Sequence, residues 1–81
     1  MKVRVLLFAR LRELAGADSL DVEVPEGTRM GDLWCLVQGS CPPLATIASP
    51  PLMARDLEYV REDSPVMGGE EIAFLPPVSG G

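Results

Sequence analysis

Apolar residues fall on every second position at the start of the chain. Val3, Val5, Leu7 and Ala9 alternate with Arg4, Leu6 and Phe8, a period that predicts a strand over residues 3–9. Leu11-Arg12-Glu13-Leu14-Ala15 is too short for a helix stable by itself, but it suits one helical turn closed by Gly16. The period of two returns over residues 19–24, with Leu20, Val22 and Val24 inward and Asp21 and Glu23 outward, until Pro25-Glu26-Gly27 ends it. This second strand is expected to run antiparallel to the first. The period then changes: Met30, Leu33, Trp34 and Val37 recur at i, i+3, i+4 and i+7, which predicts one amphipathic helix. Thr28 is its expected N-cap, Asp32 favours the dipole in its first turn, and it should end near Gly39. Four prolines within residues 41–51 predict a loop with no regular element. Leu52-Met53-Ala54-Arg55 and Leu57-Glu58-Tyr59-Val60 are short strand candidates that turn at Asp56. After a turn at Gly68-Gly69, Glu71-Ile72-Ala73-Phe74-Leu75 forms the last strand, and Pro76 stops it because proline cannot donate to the ladder.

This order gives an α+β architecture, a mixed sheet with one main helix packed on one face. A chain that starts and ends in strands, with two antiparallel hairpins flanking a helix, is most economically a β-grasp. Its first and last strands would lie parallel at the sheet centre. Strand parity then sorts the side chains: with Val3, Val5, Leu7, Ile72 and Phe74 turned to the helix, Leu6, Phe8, Ala73 and Leu75 face away. Tyr59 extends that outer set. Phe and Leu exposed together on a small domain mark a partner surface, whereas singly scattered apolar residues need no explanation.

At 81 residues the chain holds one small domain with a single modest core. Seven Lys and Arg stand against twelve Asp and Glu, a net charge of −5, and no basic run occurs, so nucleic acid is not an expected partner. The apolar stretches fall short of the ~20 residues that span a bilayer, and Met1-Lys2-Val3-Arg4 does not open a signal peptide. The expected location is the cytoplasm. The chain contains no histidine, which removes Cys-His and Ser-His nucleophile pairs, and its two cysteines, Cys35 and Cys41, have neither zinc-pair nor C-x-x-C spacing. No metal site is expected. Cys35, inside Leu33-Trp34-Cys35-Leu36-Val37, reads as a small packing residue; Cys41, beside Pro42, is left open.

The chemistry is sought at the end of the chain. Residues 1–75 read as the domain and residues 76–81, Pro76-Pro77-Val78-Ser79-Gly80-Gly81, as an extended tail. Two prolines favour a polyproline arm at about 3.1 Å per residue, so six residues reach roughly 18 Å from the body. Gly80 and Gly81 lack a Cβ, so the Gly81 carboxylate can pass through a channel closed to other residues. The dipeptide alone fits a frayed end equally well; the strand and prolines before it favour a chemical handle.

Leu7-Phe8-Ala9-Arg10-Leu11-Arg12-Glu13-Leu14-Ala15-Gly16 and residues 71–81 closely resemble the molybdopterin synthase small-subunit family of ubiquitin-like sulfur carriers. The resemblance implies that an E1-like adenylating enzyme uses ATP to activate the Gly81 carboxylate, that sulfur then replaces the adenylate, and that the thiocarboxylate donates its sulfur to a cyclic pterin phosphate in molybdenum cofactor biosynthesis. The domain itself would bind no cofactor and would not be an enzyme alone; the catalytic site would lie on the large subunit of molybdopterin synthase, in a heterotetramer. Phe8, Tyr59 and Leu75 match family docking positions, Arg12 matches a family arginine near them, and Pro76, Pro77 and Val78 would enter the partner with Gly80 and Gly81. The chain departs from the family at Ala54-Arg55-Asp56, where Ala-Val-Asn is usual, at Gly68, where Asp is usual, and in its proline-rich residues 42–51. The same fold and handle would also serve thiamin or tRNA thiolation or attachment to protein lysines. A non-catalytic interaction module with an incidental tail is the reading from a different class.

Overall fold

The computed structural model describes residues 1–76, and the expectations for Pro77, Val78, Ser79, Gly80 and Gly81 lie outside them. Strands β1 (Lys2–Leu7), β2 (Ser19–Glu23), β3 (Leu52–Arg55), β4 (Glu58–Val60) and β5 (Glu71–Leu75) form one sheet in the order β2-β1-β5-β3-β4. β1 and β5 pair in parallel at its centre, and the other neighbours are antiparallel. Helices α1 (Ala9–Ala15) and α2 (Met30–Ser40) complete the ubiquitin-like β-grasp expected from the element order.

The core lies on one face of the sheet. Val3, Val5, Leu7, Ile72 and Phe74 are at most 1% exposed, as parity required, and Met30, Leu33, Trp34 and Val37 of α2 cover them. Trp34 meets Phe74 edge to face, with ring centroids 5.4 Å apart at 88°, a geometry that sets the ring's positive edge against the other's negative face. The first N–H groups of a helix have no intrahelical acceptor, and here the loop before β5 supplies them: Met30 N–H donates to Ser64 O and Gly31 N–H to Glu62 O, each at 2.9 Å.

Four local expectations need correction. β1 ends at Leu7, not Ala9. Phe8 N–H still donates to Phe74 O at 3.3 Å, but Ala9 takes φ +50° and turns the chain into α1, so that Leu11 reaches the core. Gly16 closes α1 at φ +71°, with its N–H donating to Arg12 O. Thr28 is not the N-cap of α2: its hydroxyl donates back to Pro25 O at 2.6 Å, and Arg29 occupies the cap, its N–H donating to Asp32 Oδ2. Residues 41–51 contain a 3₁₀ helix, Pro42–Thr46, because prolines at the first positions of a helix remove only N–H groups that would have no acceptor, and Leu44 anchors the turn in the core.

The fourth correction concerns Cys35. It is exposed, because a helix advances 100° per residue and the position after buried Trp34 leaves the core face. Cys41 is half-buried and packs against the core. Arg55, a departure from the resembled pattern, has a structural role: its guanidinium donates to Pro65 O at 2.9 Å and pairs with Glu70 at 3.3 Å, tying β3 to the loop before β5.

Candidate functional site: the outer face of the sheet

Register turns the outward residues of separate strands into rows. Leu6 lies opposite Ala73, Ala73 opposite Ala54, and Ala54 opposite Tyr59, one continuous outer row across four strands. The next row brings Leu75 opposite Leu52, with Phe8 extending the β1 side through its N–H to Phe74 O. Pro76 follows Leu75 directly, so this second row adjoins the start of residues 76–81, the expected tail.

The two alanines make a low floor between taller walls. Leu6, Phe8 and Leu57 rise around Ala54 and Ala73 to form a groove of about 520 Å³, with Asp56 and Glu71 on its rim. Phe8 is 43% exposed although adjacent Leu7 is buried, which is what a strand end at the outer face imposes. Beyond the groove, Arg4 and Asp21 form an ion pair at 3.3 Å, a polar border to the apolar field.

The predicted docking residues are placed as follows. Phe8 is a groove wall, and exposed Arg12 lines a second concavity on its other side with Leu6 and Asp18. Leu75 and Pro76 are half-buried at the end of β5. Tyr59, 71% exposed, ends the first row and faces a separate concavity with Leu52 and Arg61. Phe8, Leu75 and Tyr59 thus share a face, without all meeting in one pocket.

Three contributors, Leu52, Ala54 and Leu57, were not assigned to this face from sequence. Leu52 was given no face, because a four-residue strand with one charge carries too weak an alternation. Ala54 and Ala73 became a floor only through pairing register. Leu57, placed in a strand by its apolar neighbours, instead occupies the β3–β4 turn and is fully exposed; the adjacent Asp56 was the available signal.

This face can dock a partner, and its side chains hold no histidine with which to build a nucleophile or base pair. Among the described residues no helix is long and apolar enough to cross a membrane.

Known proteins extend the comparison. The model of the ThiS family matches residues 5–81. The molybdopterin synthase sulfur carrier subunit of Chlamydomonas reinhardtii is 34% identical over 83 residues, covering all of both chains. The human molybdopterin synthase sulfur carrier subunit is also 34% identical over 83 residues, covering 99% of this chain and 94% of its own. Among solved structures, SAMP1 from Haloferax volcanii superposes with a TM-score of 0.86 at 28% identity, covering all of both chains. With a family match over nearly the whole sequence and full-length likeness to sulfur carrier subunits, the chain belongs to the ThiS family.

Proposed function

We propose that this chain is the sulfur carrier subunit of a molybdopterin synthase and that Gly81 is its reacting residue. The observation that carries the reading is an apolar outer face running to the root of a tail that ends Pro-Pro-Val-Ser-Gly-Gly. A carboxylate is a poor acyl donor because its leaving group would be oxide, so activation must come first. The Gly81 carboxylate attacks the α-phosphorus of ATP in an E1-like adenylating enzyme, releasing pyrophosphate and leaving an acyl-adenylate. Sulfide-level sulfur then attacks the acyl carbon, the bond to AMP breaks, and AMP and a proton leave the thiocarboxylate behind. Gly80 and Gly81 keep the end thin enough to enter the large subunit, where a cyclic pterin phosphate accepts the sulfur. Phe8, Arg12, Tyr59, Leu75 and Pro76 belong to the surface that seats on these partners, and Pro77 and Val78 lead the tail in. In this reading the domain binds no cofactor, ATP belongs to the adenylating partner, and the work is done in the cytoplasm.

Intact-mass measurement tests the chemistry. Incubated with the adenylating enzyme, ATP and a sulfur source, the protein should gain the mass of an oxygen-to-sulfur exchange, and a variant lacking Gly81 should not. An unchanged mass in the full chain sinks the carrier reading. A thiolated protein that fails to convert the pterin with the large subunit sinks only the choice of recipient. Likeness to SAMP1, a small archaeal modifier protein, supports a second reading, transfer of the activated glycine to protein amines; covalent conjugates formed in place of thiocarboxylate would establish it.

A further inference from the structure

Asp56 and Leu57 form the two-residue turn between β3 and β4, flanked by the Arg55–Glu58 pair. Their φ angles are +51° and +67°, and a two-residue hairpin with both central residues at positive φ is the turn for which Asn-Gly and Asp-Gly are strongly preferred. A bulky L-residue in this region is disfavoured by contact between its Cβ and the following carbonyl. Leu57 bears that penalty and also leaves its side chain 102% exposed, so it contributes nothing to the core. It nevertheless stands beside the outer-face groove, across the Ala54 and Ala73 floor from Phe8. Asp56 and Glu71 sit on the same rim, and among the described residues no ion pair joins either of them to a cation.

On the reading just given, we propose that Leu57 determines specificity for the large synthase subunit, clasping an apolar side chain of that subunit against Phe8 while an adjacent Arg or Lys meets Asp56 and Glu71. The large subunit is the fitting occupant because the relatives of this chain are subunits of the synthase, and a standing assembly covers an exposed leucine continuously. The acidic rim sets the sign of the partner's charge, which steers association and rejects a partner of like charge.

The test compares the full chain with Leu57→Gly and, separately, Glu71→Gln. Leu57→Gly creates the preferred Asp-Gly turn, so its urea midpoint should rise. Its affinity for the purified large subunit, measured by calorimetry, should fall at least tenfold, and thiolation by the adenylating enzyme, measured alongside, should fall less. Glu71→Gln should weaken the same binding and flatten its salt dependence. Leu57→Gly binding within twofold of the unaltered chain overturns the proposal, and so does a loss of thiolation as large as the loss of binding. If the unaltered chain does not bind the large subunit, the synthase reading falls with it; if it binds and Leu57→Gly binds equally well, only the role of Leu57 falls.

Discussion

Leu7 and Phe8 are neighbours in sequence, and the same substitution at the two positions should have opposite consequences. Leu7, the last residue of β1, is 1% exposed and belongs to the core. Removing such a side chain costs about 2–5 kcal/mol, and an unpaired carboxylate in its place costs several more, against a total stability of roughly 4–12 kcal/mol for a domain of this size. Leu7→Asp should therefore unfold the protein. Phe8 is 43% exposed, so little more than half of the roughly 1.5–3 kcal/mol gained by fully burying such a side chain is at stake, about 1–1.5 kcal/mol. Phe8 is also the N-cap of α1 and makes no side-chain cap hydrogen bond, so an aspartate there recovers part of that loss by accepting one. The net change should stay below about 1 kcal/mol, a fall in melting temperature of at most about 8 °C. Binding is a different matter: loss of a central aromatic anchor costs 2 kcal/mol or more, roughly 30-fold in affinity. Circular dichroism melts and calorimetric titration with the large subunit measure the two effects. Unfolding of Phe8→Asp would show that the inner and outer faces are reversed, and a stable variant with undiminished binding would remove the outer face from the docking surface.

Two further outcomes follow from local geometry. Ala9→Gly should leave stability unchanged or raise it by up to about 1 kcal/mol, because Ala9 holds φ +50°; the usual loss of about 1 kcal/mol for glycine in a helix, seen in urea unfolding, would contradict that backbone. Arg55→Ala should destabilise by about 1–2 kcal/mol through loss of its bond to Pro65 O and its contact with Glu70, and hydrogen exchange should quicken in the loop before β5; a neutral result would mean that this tie is not made in solution.

Where one short-range rule decided the outcome, the residues could be read directly. Alternation in β1, β2 and β5 predicted the buried faces, and the i, i+3, i+4, i+7 spacing placed Met30, Leu33, Trp34 and Val37 under one helix face. Gly16 closed α1 as a residue free to adopt positive φ must. Local rules failed where two of them competed. Thr28 suits an N-cap, but the Pro25 carbonyl lay within reach of its hydroxyl; Cys35 sits in an apolar run, but the helix turned it outward; Leu57 looked like a strand residue, but the hairpin needed two residues to reverse.

The sequence by itself determined a β-grasp with a Gly-Gly end and an apolar outer face, because burial parity, helical period and backbone freedom are properties of neighbouring residues. Tertiary structure alone decided what that face is. Leu6, Ala73, Ala54 and Tyr59 come from four strands, and no local pattern records the register that aligns them. Pairing sets that register, and with it the two alanines become a floor, Phe8 and Leu57 its walls, and the Leu75–Leu52 row its neighbour.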